Sequence, residues 1–236
     1  MLPKIMYPTF DITVPSTKKI YRFRPFLVKE EKILLMAKAA DQKNDMLQAI
    51  KQVVNNCLID GQDLNVDKIS IFDLELLFLK LRAGSVSDTV KISYRDVEDS
   101  EVYDFEIDLN SVEVIFPESV NNTIKISADT GFTMKYPEAG IYDDVIFLES
   151  GGDAFFQLIV RCIDKIYDKD NVYPASDYTS KQLEEFLENL DVKTFESVKA
   201  FMLSQPKLSY TIKYTNKLGK ERTIELNSLS DFFILR

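Results

Sequence analysis

One segment limits the folds open to this chain more than any other. From Ser70 to Gly84 it reads Ser-Ile-Phe-Asp-Leu-Glu-Leu-Leu-Phe-Leu-Lys-Leu-Arg-Ala-Gly. Ser70 with Asp73 three residues on is a capping-box signature. Gly84 stands where a C-terminal cap belongs. Between them Phe72, Leu76, Leu77, Leu79 and Leu81 are too many large apolar side chains for a surface helix. The run predicts a central, buried helix ending near Ala83. The chain after it reads as β. Residues 86–95 and 102–109 alternate like a hairpin around an acidic tip. Residues 112–116 form a strand ended by Pro117, and 123–128 with 131–136 a further hairpin.

Before this helix, residues 9–14 and 20–27 alternate as strands joined by the Pro15-Ser16-Thr17-Lys18 turn. Pro25 demotes the end of the second strand to an edge or an exit. A helix is expected from Val28, with Ile33, Met36, Ala37 and Ala40 on one face. The polar stretch Asp41 to Asp45 interrupts it. A second helix places Leu47, Ile50, Val54 and Cys57 on one side, and Gly61 marks a turn. Late in the chain, helices are expected at 153–167, 180–190 and 193–204, with a capping box at Thr179 and Gln182. Pro206 ends the last. A hairpin at 208–215 and 221–226 follows, turning at Gly219, and Ser228 with Asp231 caps a terminal turn. The reading is α+β, helices packed with several β-hairpins. It suggests an N-terminal region 1–148 and a C-terminal region 149–236 that could also pack as one domain, with Gly151-Gly152 as a hinge.

Two hairpins have similar surroundings. Ile107-Asp-Leu-Asn-Ser-Val112 resembles Ile224-Glu-Leu-Asn-Ser-Leu229, and each follows a helix, a strand and a polar turn. This suggests two related helix-plus-hairpin units. A two-stranded ribbon is marginal alone. It gains by packing on its helix or by pairing with another chain, which suits an assembly protein.

Composition removes much chemistry. The 236 residues include no histidine, so Ser-His and Cys-His nucleophile systems and His-ligated metals are excluded. Two cysteines, Cys57 and Cys162, sit in apolar helical contexts and read as small buried hydrophobes. No phosphate-binding glycine loop is present. The segment from Asp168 fails as a calcium loop, with Tyr173 and Thr179 where Gly and Glu belong. Asp96, Glu98, Asp99 and Glu101 read as a solvated hairpin tip. No metal, cofactor or catalytic residue is therefore expected, although a carboxylate-only hydrolase needs just two acids. The net charge of -9 disfavours a broad nucleic-acid face. Lys18, Lys19, Arg22 and Arg24 form one basic cluster, read as a solvated turn and strand edge. No apolar run reaches the length of a membrane span. Met1 to Phe10 has two prolines and no long apolar run, so no secretory signal is expected there.

Tyr21-Arg-Phe-Arg-Pro-Phe-Leu-Val-Lys-Glu-Glu-Lys-Ile-Leu-Leu-Met-Ala37 resembles the N-terminal signature of the T-even phage baseplate protein family. There an Arg-Pro-Phe segment leads into a Lys-Glu-Glu-Lys helix. Leu79-Lys-Leu-Arg-Ala-Gly-Ser-Val86 is similar to a second family segment, in which a basic residue rather than Gly84 commonly precedes the serine. The closing Asp231-Phe-Phe233 also fits. The resemblance implies a non-enzymatic, hub-associated protein required for tail assembly, either a hub subunit or a transient hub assembly chaperone. A cell-wall hydrolase and a nucleic-acid-binding module are the rivals from other classes. The implied partners are other baseplate hub proteins, with no nucleic acid and no membrane, and with self-association also compatible. The implied setting is the host cytoplasm during assembly and the virion tail baseplate. Candidate interaction residues are Arg22, Arg24, Pro25, Phe26, Lys29, Arg82, Ser85, Asp231, Phe232 and Phe233. The local chemistry of the first segment is a strand-to-helix junction: Pro25 biases Arg24 to extended geometry, Phe26 packs as a staple, and Glu30 and Glu31 suit a helix N-terminus.

Overall fold

A computed structural model describes residues 6–40, 43–60, 63–118, 121–143 and 153–232. The chain forms two compact units, Met1–Ile115 with Lys207–Arg236, and Phe116–Pro206. The boundary expected at 148, the Gly61 turn and the Gly151-Gly152 hinge lie outside the described residues.

The first hairpin is β1 (Phe10–Thr13) with β2 (Ile20–Phe23), shorter than expected because Pro25 ends pairing early. Helices α1 (Val28–Ala40) and α2 (Lys43–Cys57) follow. Leu58–Asp60 then forms β3, which adds to β2 in the order β1-β2-β3. That strand is not legible from periodicity. It forms because the Cys57 carbonyl accepts the Arg24 N–H at 2.9 Å, which draws the end of α2 onto the sheet. Helix α3 (Ile71–Ala83) is the buried helix expected, with Leu77, Leu79 and Leu81 fully inaccessible. Fully burying one such side chain stabilises by about 1.5–3 kcal/mol. Its N-terminus differs from the expected capping box. Ser70 makes no side-chain cap, and Asp73 instead accepts the N–H and hydroxyl of Ser16, on the β1–β2 turn, at 3.0 and 2.5 Å.

Strands β4 (Thr89–Arg95) and β5 (Val102–Asp108) form the acidic-tipped hairpin, and β6 (Glu113–Ile115) follows it.

The second unit holds β7 (Thr123–Lys125), β8 (Gly131–Met134), α4 (Ala154–Arg161), β9 (Ile163–Tyr167), β10 (Val172–Pro174), α5 (Ser180–Glu188) and α6 (Val192–Leu203). Its sheet order is β10-β9-β8-β7. The helix expected over 153–167 therefore stops at Arg161. Residues 163–167 are a strand because Ile166 faces Phe132 of β8 on one side and Tyr173 of β10 on the other. Sheet pairing on both edges overrides helical propensity. The Thr179–Gln182 capping box is present in both directions. Asp191 caps α6, accepting from the N–H and hydroxyl of Thr194. Phe132, Met134, Ile159, Ile163, Val198 and Phe201 form the centre of this core.

The chain returns to the first unit in β11 (Lys207–Thr215), β12 (Glu221–Leu226) and α7 (Leu229–Phe232). Lys207 pairs with Ile115, so the strand that leaves the first unit is hydrogen-bonded to the strand that re-enters it. The sheet order is β12-β11-β6. Gly219 supplies the left-handed turn residue at φ 76°. Leu79, Ile92, Leu109, Leu208, Ile212 and Phe232 join α3, both hairpins and α7 in one core.

The suspected repeat is half visible. Leu109 and Leu226 occupy like positions, each buried where a hairpin strand enters a short helical turn. The preceding helices differ: α3 belongs to the first unit and α6 to the second. The architecture is α+β, helices with small antiparallel sheets.

Candidate protein-interaction site

The two family-like segments meet in the first unit. Pro25 ends β2 and turns the chain so that the Phe26 N–H donates to Ser85 Oγ at 2.9 Å. Ser85 in turn donates to the Leu81 carbonyl at the end of α3. The Phe26 ring lies 5.9 Å from that of Phe78. The staple expected on α1 is thus made on α3.

Arg24 faces inward rather than outward. Its guanidinium donates to both Glu30 oxygens, at 3.2 and 3.0 Å, and to the Pro25 and Asn56 carbonyls. Glu30 is fully buried and also accepts the Leu27 N–H at 2.9 Å. Burial alone would raise the Glu30 pKa, but the Arg24 hydrogen bonds, the Leu27 N–H and the charges of Arg24 and Lys29 hold it below the usual range. This pair joins β2, α1 and the C-terminus of α2, so Arg24 is a structural residue.

Phe26 instead lines a groove of about 710 Å³, formed by α1, by Met46 and Ile50 of α2, and by α3 and the start of α7. Leu34, Leu35, Phe78, Val86 and Leu229 make it apolar, and Glu31, Lys38 and Arg82 supply charge. A cleft of this size and lining has room for apolar groups of another molecule. An adjoining hollow of about 200 Å³ shares Met46, Ile50 and Leu229 with it and holds Glu75. Burial raises the Glu75 pKa to about 7, with Asp231 adding repulsion against a long 3.4 Å bond from the Leu229 N–H.

The remaining candidates divide. Arg82 and Ser85 line the groove with Phe26. Lys29 is exposed, 3.6 Å from Glu30. Arg22 pairs with Asp11 across β1 and β2 at 3.0 Å. Asp231 caps α7 by accepting from the N–H groups of Asn227 and Ser228, and Phe232 is core, fully buried. Phe233 lies outside the described residues. The core stripe expected on α1 is wrong in part. Met36 is 64% exposed and Ala40 exposed, while Ile33 and Ala37 are half-buried. The groove-facing residues Val28, Glu31, Leu35 and Lys38 escape sequence reasoning. Their signal is a second stripe at three- and four-residue spacing, masked by its charges.

The acidic hairpin tip is not simply solvated. Asp96 is fully buried and accepts from Tyr214 Oη at 2.6 Å and the Glu98 N–H at 2.7 Å, bonds that hold its pKa below the usual carboxylate range. Lys217 pairs with Glu101, Lys220 and Arg222 with Glu98, and the Lys217 N–H donates to Asp99. The β11–β12 turn thus neutralises the β4–β5 tip. Lys19 is likewise paired, with Asp63 at 2.7 Å, so the basic cluster is dispersed among carboxylates. Asp168 is occupied as an acceptor by its own turn and by Tyr173. Cys57 and Cys162 are free and buried, and burial pushes their thiols up to about 11 and about 12, away from reactivity. No described helix is long and apolar enough to cross a membrane.

No curated protein and no solved structure matches this chain. A family model described as T4 bacteriophage base plate protein matches residues 7–234, which takes in both segments that meet at Phe26 and Ser85. The chain therefore belongs to the T4 bacteriophage base plate protein family.

Proposed function

We propose that this baseplate protein is a component of the baseplate hub. It acts in tail assembly by protein–protein contact and catalyses no reaction. The observation that carries this reading is the apolar groove beside α1, walled in part by the family-like segments. Baseplate proteins work by binding one another, and an apolar cleft rimmed by charge is the surface such binding uses. Other hub proteins are the partners in this reading, in the host cytoplasm during assembly and then in the virion tail. Its acids are engaged in pairs and caps at the hairpin tip and at Asp168, which leaves those clusters to structure rather than hydrolysis.

Quantitative mass spectrometry of purified mature particles tests the proposal. A fixed stoichiometric copy number is expected of a resident hub subunit. Absence from particles with abundance in infected cells would make the protein an assembly factor instead. Cleavage of peptidoglycan by the purified chain would overturn the non-enzymatic part.

A further inference from the structure

Among the described residues of α1, Glu30 alone is buried. Val28 is 81% exposed, Leu35 60% and Met36 64%. A helix of 13 residues gains little from propensity and is normally held by an apolar face packed on something. Here Ile33, Leu34 and Ala37 are only half-buried, and the exposed Val28 and Leu35 lie on a stripe that also forms one wall of the groove.

That stripe carries one charge of each sign. Glu31 and Lys38 stand seven residues apart, about 10 Å along the axis, with Leu34 and Leu35 midway between them. Both are exposed, and neither has an ion-pair partner among the described residues. A two-fold axis passing beside Leu34 and Leu35 exchanges positions 31 and 38. An antiparallel copy of the helix then sets Lys38 opposite Glu31 at both ends, with leucines in the middle. A parallel copy would set Glu31 against Glu31 and Lys38 against Lys38. Two-fold interfaces require such self-complementarity, and flanking charges of this kind choose orientation in paired helices.

We infer that two copies of this chain pair through α1, antiparallel, each placing Leu35 against the groove of the other. The inference rests on reading the groove as an interface and names its occupant as a second copy. The charge layout is what selects that occupant, because the stripe is complementary to its own image.

Sedimentation velocity on the full chain at micromolar concentrations tests it. The wild type is expected to be a dimer. Glu31→Lys alone and Lys38→Glu alone each turn two attractive pairs into two repulsive ones, weakening association by roughly tenfold or more. An equimolar mixture of the two variants restores both pairs and is expected to recover the dimer, as is the double exchange E31K/K38E. Recovery in the mixture also shows that both variants fold. A monomeric wild type overturns the proposal, as do single variants that dimerise like wild type. The hub reading fails separately. A monomeric wild type whose Leu35→Asp variant is lost from particles would mean that another baseplate protein fills the groove. A dimer absent from particles would leave the pairing standing and remove the hub role.

Discussion

The backbone N–H of Phe26 donates to Ser85 Oγ at 2.9 Å across 59 positions of sequence. Ser85 is itself tied to the end of α3 through the Leu81 carbonyl. One hydroxyl thus accepts from the β2–α1 junction and donates to the central helix. Ser85→Ala leaves the part-buried Phe26 N–H without its acceptor, at a cost of about 1–2 kcal/mol. Urea unfolding would show this as a lower midpoint with an unchanged slope.

The buried Arg24–Glu30 pair is expected to be intolerant of single changes. Arg24→Ala strands a carboxylate that is fully buried, for about 2–4 kcal/mol after allowing for the partly exposed Arg24 edge. The double change Arg24→Met with Glu30→Leu removes both charges and is expected to cost less than either single change. Because folding lowers the Glu30 pKa, its contribution is present above the ordinary value of 4.5 and lost as pH falls through the folded value. A double variant whose cost equals the sum of the two single costs would refute the coupling.

Glu75 works in the opposite direction. Folding raises its pKa from 4.5 to about 7, so the folded chain holds this proton more tightly. The contribution is full below 4.5 and disappears as pH rises through about 7, for roughly 3 kcal/mol in all. Glu75→Gln keeps an acceptor for the Leu229 N–H and cannot ionise. Its stability is expected to fall less than the wild type's over that window, as measured by denaturant midpoints at stepped pH. Parallel curves for the two proteins would sink the assignment.

Gly84 is set by contact, not by backbone. It lies in ordinary right-handed geometry at φ -74°, and a Cβ there would stand 2.6 Å from the Phe10 ring. Alanine at such a helix end would otherwise stabilise by about 0.5–1 kcal/mol. The ring reverses the sign, and Gly84→Ala is expected to destabilise by about 1 kcal/mol. Pairing it with Phe10→Leu should recover most of the loss, as read from urea midpoints.

Tyr214→Phe removes the phenol that donates to buried Asp96 and that reaches it across 118 positions. Faster amide hydrogen exchange is expected in both tips, at 96–101 and 216–220, while the α3 core stays protected. Unchanged exchange at the β4–β5 tip would show that the tips stand independently.

Much of the first unit is legible in its residues alone. Phe72, Leu77 and Leu81 announce α3, and the alternation at 89–95 and 102–108 announces its hairpin. In the second unit Thr179 with Gln182 announces a helix start. Of the site, Phe26 and Ser85 stand out as parts of separate segments, but nothing in either says that one binds the other. Arg24 reads as a surface residue because nothing near it in sequence shows that Glu30 is sealed beneath it.

The sequence by itself determined the local elements and the membership, since periodicity, caps and turn residues act within a few positions along the chain. Tertiary structure alone decided the rest. It made 163–167 a strand by offering sheet edges on both sides, buried Asp96 by bringing Tyr214 and Arg222 to it, and left one stripe of α1 uncovered beside a groove. Those outcomes depend on which distant partner satisfies a hydrogen bond or a charge. A buried polar group is tolerated only where such a partner stands, and a linear pattern does not say where that will be.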